Sequence, residues 1–185
     1  MTTVTTYHVK APATVLQHIS DDTAVRNTLI RFGVRFSRWP VRPLPTEFDA
    51  AKVLLAYQSE IQNLKASKGY TTVDVIRVTP THPEREALRN KFIEEHTHSD
   101  DEVRFFAEGS GAFYLHLGDT VVQILCFAGD LIAVPAGTKH WFDMGPEPLF
   151  TAIRLFVSPE GWVGQFTDDP LSGQVPRLGT PAVAA

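Results

Sequence analysis

Residues 96–109 read HTHSDDEVRFFAEG and residues 129–140 read GDLIAVPAGTKH, and these two stretches decide the fold. The first contains H-x-H-x3-E, made of His96, His98 and Glu102, and the second ends on His140 behind a Pro135-Ala136-Gly137 turn. Alternate residues of a strand face one side, so His96 and His98 should aim together and Glu102 should return to that face. The turn then delivers His140 from a different strand. Three imidazole nitrogens and one carboxylate oxygen, with no thiolate, suit a first-row divalent ion such as iron, nickel, copper or zinc; they argue against an iron-sulfur or structural zinc site. Four protein ligands leave two corners of an octahedron open, enough for a substrate with two adjacent oxygens.

Arg104 lies two positions past Glu102 and should share its face. A guanidinium pointing into a barrel needs an anion, either a nearby carboxylate or a negatively charged substrate beside the metal. Glu94, Glu95, Asp100 and Asp101 flank the ligands and could orient the histidine N–H groups, although acid-rich stretches more often face water. Phe92, Phe105, Phe106, Trp141, Phe142 and Trp162 supply an aromatic lining or a plain core. His8, His18, His82 and His116 fit no ligand spacing, and His116, alternating with Tyr114, reads as structural.

Outward from the motifs, the chain alternates like strand at 73–78, 102–107, 112–117, 120–127, 131–134, 140–144 and 149–157. Turn residues at 109–111, 117–119, 128–130 and 144–146 punctuate it, a cadence that predicts an antiparallel barrel or double-sheet jelly roll. Helical signals precede it. Asp22 is placed to cap a helix through Val25, Leu29 and Ile30 that Gly33 ends, and Thr46 to cap a longer one through Val53, Tyr57, Ile61 and Leu64 that Gly69 ends. Pro83 fits the first turn of a third, with Leu88 and Phe92 on one face. The expected organisation is one domain over 1–170, with helical segments at about 15–95 on a barrel at about 96–157, and a flexible tail at 171–185.

The 185 residues suffice for one core without disulfide staples. A net charge of -4 with 17 scattered Lys and Arg argues against nucleic acid as a partner. No apolar run is long enough for a membrane helix, and the start MTTVTTYHVK lacks a signal peptide's apolar stretch, so a cytoplasmic protein is expected. Without a long apolar stripe, a monomer is expected too. Cys126, in the strand-like VVQILCF, reads as a small buried side chain.

The paired motifs resemble those of the cupin superfamily. Within it, residues 95–115 (EHTHSDDEVRFFAEGSGAFYL) and 134–143 (VPAGTKHWFD), with GVRFSRW at 33–39 and IQNLKA at 61–66, resemble the acireductone dioxygenase family of methionine salvage. Asn90 stands where the general cupin pattern opens with glycine, Met144 where it ends with asparagine, and Ser37 where the family has an acidic residue. The resemblance implies a jelly-roll barrel, one Fe(II) or Ni(II) on His96, His98, Glu102 and His140, and O2-consuming cleavage of an ene-diol ketone with a methylthio tail. It implies that Arg104 favours the substrate dianion, that Glu95 assists metal incorporation and that Asp101 relays conformational change. Phe92, Phe142 and Trp162 would wall the tail. Iron is associated with formate and the 2-keto acid precursor of methionine, nickel with carbon monoxide, formate and 3-(methylthio)propanoate. Another cupin enzyme would keep the ligands and need a different pocket, against which the run at 104–114 speaks, and intact ligands in a single small domain argue against a non-catalytic cupin binding or storage module.

Overall fold

A computed structural model describes residues 1–180. The chain opens with a hairpin that the sequence reading did not anticipate, β1 (Thr3–His8) and β2 (Ala11–Ile19). Helix α1 (Asp22–Arg31) follows, and its N-cap is Asp21, whose carboxylate accepts from the Ala24 N–H at 2.9 Å, one residue before the expected Asp22. Ile30 is 69% exposed, while Val25, Thr28 and Leu29 face inward. After β3 (Arg35–Arg38), the single long helix expected from Thr46 is instead two. Asp49 caps α2 (Ala50–Ala56), and Tyr57 (φ -111°) separates it from α3 (Gln58–Lys68). Burial of the Tyr57 ring against Trp39 and Phe105 accompanies the break, and its hydroxyl accepts from the Arg42 N–H. Gly69 ends α3 in the left-handed region, as its position predicts.

Strand β4 (Thr72–Val78) and helix α4 (Arg85–Ile93) lead to the short β5 (His96–Thr97). Then come β6 (Glu102–Leu117), β7 (Thr120–Phe127), β8 (Asp130–Val134), β9 (Lys139–Asp143), β10 (Phe150–Phe156) and β11 (Gln165–Phe166). All pairings are antiparallel. The two strands expected at 102–107 and 112–117 are one, and Gly109-Ser110-Gly111 is a bend inside it rather than a turn. One half of β6 lies between β8 and β10, and the other half between β7 and β9. The double-sheet architecture therefore pivots on one strand: β4-β10-β6-β8-β3 is one leaf and β2-β1-β7-β6-β9-β5-β11 the other. Phe106, Phe113, Phe142 and Phe150 fill the space between them. Cys126 is fully buried, and that burial pushes its thiol well above the usual range.

Two glycines permit the pivot. Gly109 has φ +71°, and a Cβ there would stand 1.7 Å from the Leu149 carbonyl oxygen. A Cβ on Gly111 would meet the Phe142 ring at 2.4 Å.

The beginning of the expected tail is not a tail. Residues Pro170–Gly173 form a 3-10 turn, and Leu171 and Val175 are buried against Tyr7, Tyr114 and Trp141. Asp143 accepts from the Leu178 N–H at 2.8 Å and binds Arg89 of α4 through both carboxylate oxygens. Widely spaced apolar residues among Gly and Pro cover one aromatic face, a pattern with no local periodicity to reveal it. The rest of that expectation, 181–185, lies outside the described residues. Among the described residues no helix is long and apolar enough to cross a membrane.

Gly109→Ala should cost about 3 kcal/mol or more of unfolding free energy, because a backbone oxygen cannot move aside as a side chain can. Gly118→Ala, also at positive φ (+60°) but with nothing within 4 Å, should cost only about 1 kcal/mol. Urea unfolding midpoints of the two variants check this, and equal losses would contradict the steric account.

Candidate metal centre

Short elements converge to build the centre. His96 on β5 pairs directly across from His140 on β9, which sets their rings 4.6 Å apart. His98 lies just beyond β5, so its approach comes from the bend at 98–101 and not from simple strand alternation. That bend is tied to the Pro135-Ala136-Gly137 turn by Gly137 N–H to the His98 carbonyl (2.9 Å) and Ala136 N–H to Asp101 Oδ1 (3.0 Å). Asp101 Oδ2 accepts from Arg35. Each of His96, His98 and His140 offers a nitrogen within 4.8 Å of the others.

The rings share one mode of support. Nδ1 of His96 lies 2.7 Å from the Glu94 carbonyl, that of His98 3.3 Å from Val163, and that of His140 2.7 Å from Thr138. A carbonyl only accepts, so Nδ1 carries the hydrogen and the Nε2 lone pair is left free. The carboxylates considered as orienters, Glu94, Glu95, Asp100 and Asp101, make none of these contacts; backbone oxygens do.

Glu102, at the start of β6, brings Oε2 to 3.0 Å from His140 Nε2 and 3.6 Å from His98 Nε2. With Nδ1–H committed to Thr138, Nε2 and Oε2 are facing lone-pair donors, and only a shared proton or a cation satisfies both. Adjacent corners of an octahedron with bonds of about 2.1 Å are about 3 Å apart, so the donor set fits a small divalent ion. Electrostatics agree. Burial and the neighbouring His140 lower His96 to about 4, and burial lowers His98, so both rings are neutral at neutral pH. Burial alone would raise Glu102, but the Arg104 guanidinium outweighs it and holds the carboxyl well below its usual range.

Arg104 meets the first of its two expected anions, a nearby carboxylate. Its NH2 is 2.5 Å from Glu102 Oε1, which is the ion pair, while its buried Nε has no partner. The guanidinium lies 4.7 Å from the Phe113 ring centre and 4.5 Å from that of Phe142. Phe142 is therefore beneath Arg104 and not a pocket wall. Phe92 and Trp162 do line the pocket, a cavity of about 500 Å³ that opens on His96, His98, Glu102 and Arg104. Its other walls were missed: Ile76, Leu88, Phe156, Val163 and Phe166, with Lys91 and Arg154. Ile76 and Phe156 alternate properly in strands, but nothing local tells which face of a strand meets a cavity.

Glu95 points away from the three imidazoles' donors. Its buried carboxylate accepts from His116 Nδ1 at 2.8 Å and Thr167 Oγ1 at 2.7 Å, with the Lys139 ammonium 3.6 Å away. Glu95, His116 and Asp169 lie close enough to suit a cation, but Lys139, also 3.8 Å from Asp169, already supplies the positive charge there. His116 is structural, as its alternation suggested.

The sequence profile described as the ARD/ARD' family matches residues 18–164. Acireductone dioxygenase of Marinobacter nauticus is 49% identical over 177 residues, covering 96% of each chain. That of Klebsiella pneumoniae is 51% identical over 179 residues, covering 96% of this chain and 99% of that one. A solved structure, acireductone dioxygenase from Bacillus anthracis with a cadmium ion in its active centre, superposes with a TM-score of 0.79 at 31% identity. It covers 90% of this chain and 98% of its own. Profile, relatives and backbone agree over nearly the whole length, and this chain belongs to the ARD/ARD' family of acireductone dioxygenases.

Proposed function

We propose that this chain cleaves acireductone, 1,2-dihydroxy-3-keto-5-methylthiopentene, with O2 in methionine salvage, using one Fe(II) or Ni(II) held by His96, His98, Glu102 and His140. The observation that carries it is the juxtaposition of lone-pair donors facing across 3.0 Å with an apolar-walled cavity of about 500 Å³ in a chain of this family. The bound metal would supply Lewis acidity and a template for two substrate oxygens.

The chain's own groups do the rest. The backbone carbonyls of Glu94, Val163 and Thr138 hold the rings in the ligating tautomer, so no proton has to leave Nε2 before a ligand bond forms. Arg104 keeps Glu102 ionised and offers its unpartnered Nε–H to a substrate oxyanion, which favours the doubly deprotonated ene-diol. Phe92, Phe156 and Trp162 take the methylthio end and keep water from the electron-rich head. Asp101, bridging the two motif loops, links their movements, and Glu95 assists metal incorporation. With iron the products are formate and 4-methylthio-2-oxobutanoate; with nickel they are formate, CO and 3-(methylthio)propanoate. The two outcomes release one or two single-carbon fragments from the same substrate.

Anaerobic mixing of iron-loaded and nickel-loaded protein with synthetic acireductone, followed by O2, should give these two product sets, identified by mass spectrometry and CO detection. Absence of metal-dependent O2 uptake would refute the function. Glu102→Gln or His98→Ala should weaken metal affinity more than about a hundredfold, measured by competition with a chelating dye. Arg104→Met should keep the metal and lose most turnover, because the bound substrate stays in a lower charge state; unchanged turnover would leave Arg104 only its ion-pair role.

Acid should release the metal late. A folded pKa near 4 for His96, against an unfolded value of 6.5, means protons compete for that ring only near pH 4. The same depression makes the metal-free chain lose stability as pH falls from about 6.5 to about 4, since only the unfolded state binds the proton in that window. Glu102, with its pKa also depressed, adds stability present above its unfolded value and lost in stronger acid. Metal affinity that declines steeply already at pH 6.5 would contradict the buried, neutral ring.

A further inference from the structure

Beyond the metal-binding residues and Arg104, the cavity is lined by two further cations, Lys91 and Arg154, and only Arg154 stands beside Arg104 in the sheet. It stands on β10 directly opposite Arg104 of β6, and Asp74 stands opposite it on β4. Residues directly opposite in antiparallel strands share a face and approach to about 5 Å at Cβ, so two guanidiniums lie side by side in one wall. Like charges in that position repel, and in a partly dry wall they repel more than on a surface. Both line the cavity.

Arg154 is held by Asp74 through two bonds, Nε to Oδ1 at 2.9 Å and NH2 to Oδ2 at 2.6 Å. The pair is lopsided. The Arg154 side chain is 18% exposed and that of Asp74 50%, so water screens the carboxylate more than the guanidinium. The result is an ion pair set across the wall with its cation inward. Its field reaches the neighbouring group: burial lowers the proton affinity of Arg104, Glu102 opposes that effect, and Arg154 adds to it.

We infer that Arg154, oriented by Asp74, is a second substrate-facing cation of the cavity, and that with Arg104 it sets the pH at which the bound ene-diol loses its second proton. This rests on the reading of the substrate as acireductone. Glu102 and Arg104 of β6, His96 of β5, His98 just beyond β5, and Lys91 of α4 also face the cavity, and Arg104 is occupied by Glu102. Arg154 is held by the half-exposed Asp74 through two bonds and feels Glu102 as well, and its charge acts on the cavity in addition to that of Arg104.

The test is a pH titration of acireductone bound anaerobically to the nickel-loaded protein, with the long-wavelength absorbance of the dianion as readout. Arg154→Met should raise the midpoint of dianion formation by about one pH unit, the effect of one poorly screened charge several ångströms away. Arg154→Lys should restore it towards the original value. Asp74→Asn should move it the opposite way, to lower pH, because removing the carboxylate leaves the cation less compensated. A merely structural role predicts shifts of one sign in both Arg154→Met and Asp74→Asn. Such shifts, or an unchanged midpoint in Arg154→Met, would overturn the inference while leaving the function intact. If the unaltered protein binds no acireductone, both fall together.

Discussion

Glu102 is an ionised carboxylate at 2% exposure, and the design of the molecule follows from keeping it charged there. An isolated carboxylate out of water would take up a proton. Arg104 prevents this from the same strand, two residues on. Removing one partner of such a buried pair costs about 3–5 kcal/mol, because the survivor is left unpaired. A divalent ion among the three imidazoles would answer the same charge from the open side. The site is therefore a set of electron-pair donors assembled in advance in the wall of a cavity.

Holding those donors in register requires a continuous support, and β6 is that support. Its first half carries Glu102 and Arg104 in the leaf with β8 and β10, and its second half pairs with β9, which carries His140. One strand can serve both leaves only if it bends, and it bends where Gly109 lies against the Leu149 carbonyl and Gly111 beneath the Phe142 ring. Phe142 then lies under Arg104. The bend, the aromatic core and the guanidinium are thus packed into one continuous stack.

The cavity's lining is of two kinds. Imidazoles, Glu102 and the two arginines occupy one part, while Ile76, Leu88, Phe92, Phe156 and the half-exposed Trp162 and Phe166 form the rest. A small molecule with an oxygen-rich head and an apolar tail matches both parts at once. Helix α4, fixed by Arg89 to Asp143, and the segment ending at Phe166, fixed by Thr167 to Glu95, close two of its sides. Glu95 and His116, outside the ligand set, therefore contribute to the cavity by anchoring its wall.

The candidate ligands were legible in the chain because metal chemistry constrains residue type and spacing locally: two histidines, a glutamate and a later histidine behind a Pro-Gly turn have few other reasons to recur. The β-rich barrel was legible from alternation and turn residues, and the helix stop at Gly69 from its left-handed backbone. The N-terminal hairpin, the division of a long helix at Tyr57, the unity of β6 and the docking of Leu171 and Val175 were not legible, because each depends on a surface supplied by residues far away in sequence. The same holds for Arg154. Nothing near it in the chain marks it, and only strand pairing sets it beside Arg104, since register is decided by the packing of two leaves and not by neighbouring residues. Sequence by itself determined which atoms could bind a cation; tertiary structure decided which charges surround them, because electrostatic fields act through space and the chain's own order does not measure that distance.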